Sequence, residues 1–150
     1  RGYVMSPSIS LSLGADDAFD EPIDDEDVLA EVHAVFERYE KALMENDVDV
    51  LDELFWQNPR TIRYGAGENL YGFEEIAAFR AGRNAAKISR KLLRVEISTY
   101  GRNFATANCE YQRLSDGKCG RQSQTWVRFP EGWQVISAHV SFLPEARPAN

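Results

Sequence analysis

The sequence is short of most of the equipment that announces a function. It has two histidines and two cysteines in 150 residues. Cys109 and Cys119 have no histidine nearby and fit no zinc spacing, and no carboxylates cluster beyond the N-terminal segment, so no metal and no cofactor are expected. The two cysteines flank a turn; a disulfide between neighbouring strands is one reading, and free thiols in a cytoplasmic protein are the expectation. No apolar run is long enough to cross a membrane. The start, Arg1 to Gly14, has one basic residue and an interrupted apolar patch from Ile9 to Leu13, which does not make a signal peptide. No Gly-x-Ser-x-Gly elbow is present and no serine–histidine–aspartate order stands out.

Basic excess is missing too. The formal net charge is −7, and its source is local. Asp16, Asp17, Asp20, Glu21, Asp24, Asp25, Glu26 and Asp27 form one run with no cation among them, and acidic and basic side chains balance after it. No basic stripe survives that accounting, so nucleic acid is not an expected partner. Residues 1–23 read as a flexible acidic tail, residues 24–146 as one folded domain, and residues 147–150 as a second short tail.

What is present is periodicity. A helix starts near Asp24, its acids placed where the helix dipole favours negative charge. Val28, Val32, Val35, Phe36, Tyr39 and Leu43 recur at helical spacing. Tyr39 lies on that stripe, and a buried phenol needs a partner for its hydroxyl. Asn46-Asp47 breaks the helix. A shorter one carries Val50, Leu51, Leu54 and Phe55 and ends at Asn58-Pro59. A β-type run, Thr61 to Tyr64, passes through a glycine-rich turn to Tyr71. A third helix is predicted over Phe73 to Ala86, with Arg80 and Arg83 on one face.

The remainder is β: Lys91 to Tyr100 with Leu93, Val95 and Ile97 on one face, Phe104 to Leu114, Arg121 to Phe129, and Trp133 to Leu143. Pro130-Glu131-Gly132 fits a three-residue hairpin loop. Consecutive hairpins predict an antiparallel meander with helices on one face. If Phe129 faces Trp133, then Thr125 faces Ser137, Ser123 faces His139, and Arg121 faces Ser141. Gln122, Gln124, Trp126 and Arg128 then share the opposite face with Ile136, Ala138, Val140 and Phe142. One face serves the helices and a pocket and the other a partner subunit. The residues do not say which is which.

The stretch from Thr61 to Gly72 gathers a cation, two phenols, a carboxylate and a carboxamide, the mixture a partly buried pocket needs. The plainer reading is a hairpin with a solvated arginine. Segments across the chain favour the pocket. Phe36-x-x-Tyr39-x-x-Ala42-Leu43, Leu51-Asp52-Glu53-Leu54-Phe55-Trp56, Arg63-Tyr64-Gly65, Glu68-Asn69-Leu70-Tyr71-Gly72, Phe79-Arg80, Thr99-Tyr100-Gly101-Arg102, Gly120-Arg121-Gln122-x-Gln124-Thr125-Trp126 and Ala138-His139-Val140-Ser141 resemble the AtzH-like family, from about Val28 to Glu145. That group includes proteins of oxalurate catabolism.

The resemblance implies an α+β fold of the nuclear transport factor 2-like, or SnoaL-like, kind: three helices packed on a curved antiparallel sheet that closes a cone around a pocket. It implies a homodimer, and company with an amidase in the breakdown of ureides. The founding member is a cofactor-free decarboxylating amidohydrolase acting on 1,3-dicarboxyurea, and its active-site tyrosine and arginine match Tyr39 and Arg63 here. The implied ligand is a small anionic ureide or carboxylated urea.

The chemistry of such a ligand suits these residues. A guanidinium meets a carboxylate through two parallel hydrogen bonds, which assigns Arg63 to binding and to stabilising developing charge. Tyr39 is the acid–base group, its phenolate favoured by a nearby guanidinium. Tyr64, Glu68, Asn69, Tyr71, Arg80, Arg83, Arg121 and His139 are further substrate-binding candidates. For Arg80, Arg83 and Arg121 the alternative is a surface arginine or an ion pair with Glu68, Glu74 or Glu75. For His139 it is a hydrogen-bonded core residue. The serine-rich amidase signature is absent, so hydrolysis would use activated water or the substrate's own groups. Two other functions stay open. One is a non-catalytic binding or association domain partnering an amidase. The other is an isomerase or dehydratase with Glu68 as base. The fold serves all three.

Overall fold

A run of valines, phenylalanine and tyrosine spaced by three and four cannot stay in water, and the structure builds the molecule against it. The structure, a computed structural model, describes residues 19–84 and 88–145. Helix α1 spans Glu26–Glu45 and buries Val28, Val32, Phe36, Tyr39, Ala42 and Leu43. Asp25 caps it, its carboxylate accepting from the amides of Asp27 and Val28. Such a cap contributes about 1 kcal/mol. Asn46, in the left-handed region at φ 53°, stops the helix. Asp47 then caps helix α2, Val48–Glu53. The end of α2 docks on the sheet through the bridge Phe55↔Val135 and the hydrogen bonds Trp56 N–H to Val135 O (2.9 Å) and Val135 N–H to Leu54 O (2.8 Å).

The strands are β1 (Ile62–Tyr64), β2 (Asn69–Tyr71), β3 (Arg90–Tyr100), β4 (Phe104–Arg113), β5 (Cys119–Phe129) and β6 (Gly132–Phe142), with helix α3 (Phe73–Ala81) between β2 and β3. They form one sheet in the order β2-β1-β6-β5-β4-β3. It is a mixed sheet: β1 lies parallel to β6, and the other pairs are antiparallel. Bulges at Leu92/Arg94 and at Thr125/Trp126 break the register and add bend. This is the three-helix, curved-sheet architecture expected, with one strand pair of the opposite sense.

Several local expectations need correcting. The third helix ends at Ala81 rather than Ala86, and residues 85–87 lie outside the described residues. The last hairpin turns through Pro130-Glu131 alone, so Phe129 faces Gly132 and Arg128 faces Trp133. Thr125↔Ser137, Ser123↔His139 and Arg121↔Ser141 still pair as expected, because the bulge restores the register one residue later. Leu93 is exposed instead of joining Val95, since the first bulge lifts it out. Of the segment read as a tail, residues 1–18 lie outside the described residues, while Pro22 to Asp24 lie along the β3–β4 turn: Ile23 bridges Tyr100, and the Asp24 amide donates to Thr99 O.

Burial identifies the face of the sheet that serves the helices. Gln122, Gln124, Trp126 and Ala138 are buried beneath the helices, and Arg121, Ser123 and His139 are exposed on the other side. The core is α1's stripe, Leu51, Phe55 and Ile76 against Ala105, Ala107, Trp126 and Val135. Ala105 and Ala107 are small and fully buried in that core.

Candidate active site

The inner face of the sheet, α1 and the chain after α3 leave a cavity of about 190 Å³. That is below the range of about 300–1,000 Å³ typical of drug-sized ligand pockets, so it suits a small metabolite. Tyr39, Arg63, Glu68 and Arg83 line it together with Arg90, Tyr111, Arg113 and Gln122. Leu43, Phe79, Ile88, Val140 and Phe142 supply its apolar walls.

Tyr39 is held by aromatic packing. Its ring meets Trp126 edge-on, 6.4 Å between centroids, and leans on Phe55 at 6.3 Å. Arg63 is the middle residue of β1, and its strand position points it inward beside Ala138 on β6. Its Nη1 donates to Glu68 Oε2 at 2.8 Å, and the guanidinium stands over the Phe79 ring at 5.3 Å. The hairpin is shaped for that pair: the Gly65 amide donates to Glu68 O, and a methyl group at Gly65 would land on the Glu68 carboxylate.

A second network backs the cavity. Arg90, the first residue of β3, is ion-paired with Glu40, the residue after Tyr39. Its Nη2 also donates to Gln122 Oε1 at 3.2 Å, and its guanidinium lies 4.3 Å from the Tyr111 ring centroid. Burial opposes the charge on Arg90, but Glu40 overrides it and holds the guanidinium above its ordinary value. Burial likewise pushes the Tyr111 phenol up, against the pull of Arg90. Tyr111 occupies the space where a side chain at residue 120 would stand, and glycine is there instead. Arg113 pairs with Asp116 at 2.6 Å.

Arg83 differs from these. Its Nε and Nη2 are buried without a hydrogen-bond partner among the described residues. Burial, together with the charges of Arg63, Arg80 and Arg90, pulls its guanidinium down to about 10, the Tyr39 phenol acting the other way.

Tyr39, Arg63, Glu68 and Arg83 are therefore the sequence candidates that the structure brings together. The others need correction as pocket residues. Strand alternation turns Tyr64 and Asn69 outward because Arg63 and Leu70 point inward. Tyr71 follows Asn69 outward and is 53 % exposed. His139 pairs with Tyr64 across the sheet and lies on the same outer face, its ring 5.6 Å from the Tyr64 ring. Arg121 is exposed there as well. Arg80 is buried, but it serves the fold: its Nη1 meets Asp52 Oδ1 at 2.7 Å and its guanidinium caps the Phe55 ring at 4.6 Å. Its partner is Asp52, not the glutamates expected.

Arg90, Tyr111, Arg113 and Gln122 were not singled out from the sequence. One signal was available. Trp126 shares strand parity with Gln122 and Gln124, and a tryptophan preceded by two glutamines on one parity marks the face that is buried yet polar. Among the described residues no group of three or more histidine, cysteine, aspartate or glutamate side chains is gathered to hold a metal. Both cysteines are buried and free, and burial pushes the Cys109 thiol up to about 11, which makes it a poor nucleophile. No described helix is long and apolar enough to cross a membrane.

Comparison with known proteins agrees with this fold. The family model described as AtzH-like matches residues 21–146. A crystal structure of a protein of unknown function from the DUF3225 family of Pectobacterium atrosepticum is 56 % identical, with a TM-score of 0.79 over 81 % of this chain and 94 % of that one. A cystatin-like fold protein from Burkholderia xenovorans is 41 % identical, with a TM-score of 0.79 over 85 % of this chain and 98 % of that one. A nuclear transport factor 2-like superfamily protein from Salmonella enterica is 25 % identical, with a TM-score of 0.66 over 81 % and 94 %. No curated protein gives a match.

Proposed function

The chain belongs to the AtzH-like family, and from that premise we propose that its cavity binds a small ureido acid or carboxylated urea and hydrolyses a C–N bond in it without a cofactor. The observation that carries this reading is the convergence of Tyr39, from α1, and Arg63, from β1, on one cavity of about 190 Å³. Arg63 donates to the oxygen that gains charge as water adds to the carbonyl, and Tyr39 delivers a proton to the leaving nitrogen. Where the product is a carbamate, loss of carbon dioxide completes the reaction. In this reading Glu68, which accepts from Arg63, orients the attacking water. In this reading the protein works in the cytoplasm as a homodimer, in the same breakdown route as an amidase.

A binding-only role is the competing reading. The test is product analysis for ammonia and carbon dioxide with oxalurate, allantoate, biuret and carboxylated ureas. Release by the wild type and its loss in Tyr39→Phe, at unchanged melting temperature, is the expected result. Saturable binding of one of these compounds with no product, in a folded wild type, would overturn the enzymatic reading.

A further inference from the structure

We infer that Arg83 and the side-chain amide of Gln122 form the carboxylate-binding end of the cavity, and that the ligand carries one negative charge rather than two. This deepens the reading above and rests on it for the ureide chemistry. The cavity's arginines Arg63, Arg90 and Arg113 are matched by Glu68, Glu40 and Asp116. Arg83 has no such carboxylate among the described residues, and two of its donor nitrogens are buried with nothing to accept from them. A buried, unmatched guanidinium destabilises the empty protein, and an anion placed against it removes that cost.

Gln122 points to the same occupant. It is 3 % exposed, and its Oε1 already accepts from Arg90. That bond fixes which end of the amide is which, since Arg90 has only donors to offer. The free end is therefore Nε2, a buried donor without a partner. So the cavity holds unmatched donors from two segments. A carboxylate, which only accepts, is the complement.

The Arg63–Glu68 pair in the same cavity is built differently. Arg63 and Glu68 present a donor and an acceptor side by side, 2.8 Å apart and largely buried. A second carboxylate there would meet the carboxylate of Glu68. An adjacent carbonyl and N–H, as in an acylurea or carbamoyl group, would satisfy both. The ligand so described is a short carboxylic acid with a ureido or carbamoyl end.

The test uses three probes on the purified protein by calorimetry at neutral pH: N-carbamoylglycine (one carboxylate and a ureido end), malonate (two carboxylates) and biuret (no charge). N-carbamoylglycine should bind at least tenfold more tightly than either of the others. Arg83→Gln should weaken it at least tenfold while leaving the unliganded melting temperature unchanged or higher, because the variant removes an uncompensated charge. Gln122→Glu, which replaces the unpartnered Nε2 donor with a carboxylate oxygen, should also abolish binding and keep the fold.

Malonate binding more tightly than N-carbamoylglycine overturns the single-charge inference. So does unaltered affinity in Arg83→Gln, and so does absence of binding by all three probes at millimolar concentration. The two readings fail separately. Binding that depends on Arg83 with no turnover of any ureide leaves the subsite and removes the hydrolase. Turnover with unchanged KM in Arg83→Gln does the reverse.

Discussion

The two faces of the sheet carry similar side chains and have different roles. On the outer face Tyr64, Tyr71 and His139 stack edge to face, the two phenol oxygens 3.4 Å apart, with Arg121 on the same face. On the inner face Tyr111, Arg63, Arg90 and Gln122 meet Tyr39 and Arg83 around a cavity. Tyrosine and arginine occur on both sides, so residue type does not mark the site. Enclosure does. Inside, donors lose water and must find a partner in the protein or in a ligand; outside, water satisfies them.

The largest expected difference between the faces is chemical. Tyr39→Phe should lower turnover by about 100- to 10,000-fold, the usual range for a positioned acid–base group. Tyr71→Phe and Tyr64→Phe should leave kcat within about twofold, since neither touches the cavity; their loss of activity would break the contrast. Next comes stability. Trp126 is fully buried between Tyr39 and the sheet, and Trp126→Ala should cost about 3–5 kcal/mol in chemical denaturation. Tyr71→Ala on the open face should cost well under that, about 0.5 kcal/mol.

A third contrast lies in pH. The groups around the Arg83 guanidinium are Tyr39 from α1, Arg63 from β1, Arg80 from α3 and Arg90 from β3. Burial pulls the guanidinium down to about 10 in the folded protein, well below the ordinary arginine value. A ligand carboxylate is ionised well below that, so affinity should be flat across neutral pH and fall as pH rises through about 10. The sign for stability is opposite. Between about 10 and the ordinary arginine value the unfolded chain holds one proton more, so this group's contribution to stability rises with pH. The wild type and Arg83→Gln should therefore converge in stability above pH 10.

The smallest effect separates two neighbouring glycines. Gly65→Ala puts a methyl on the Glu68 carboxylate and should raise KM several-fold by parting it from Arg63, whereas Gly67→Ala meets nothing within 4 Å and should be neutral.

Much of this molecule was readable from its residues, and the exceptions have causes. The α1 stripe named Tyr39 as buried because helical spacing allows one apolar face. The alternation of β4 to β6 gave the strands within two residues. The inward parity of Arg63 was not derivable from β1 itself, since Thr61 to Tyr64 is polar or aromatic at every position but one. It is fixed by parallel pairing with β6, a contact between segments more than seventy residues apart. Tyr64 and Tyr71 stand among the binding candidates for that reason, and His139 because the sequence leaves open which face of the sheet lines the pocket. Arg90 and Gln122 were passed over because a strand's first residue and a glutamine among polar neighbours look solvated. Only the tertiary fold buries them. The bulge at Thr125/Trp126 leaves no mark in composition.

The enclosed face is the one expected to recognise a ligand, and a crystal structure with oxalurate bound tests that most directly. The expected result is one molecule in the cavity, its carboxylate on Arg83 and Gln122 Nε2, its ureido end between Arg63 and Glu68, and Tyr39 within hydrogen-bond distance. Oxalurate seated beside Tyr64, Tyr71 and His139, with the cavity holding none, would contradict it.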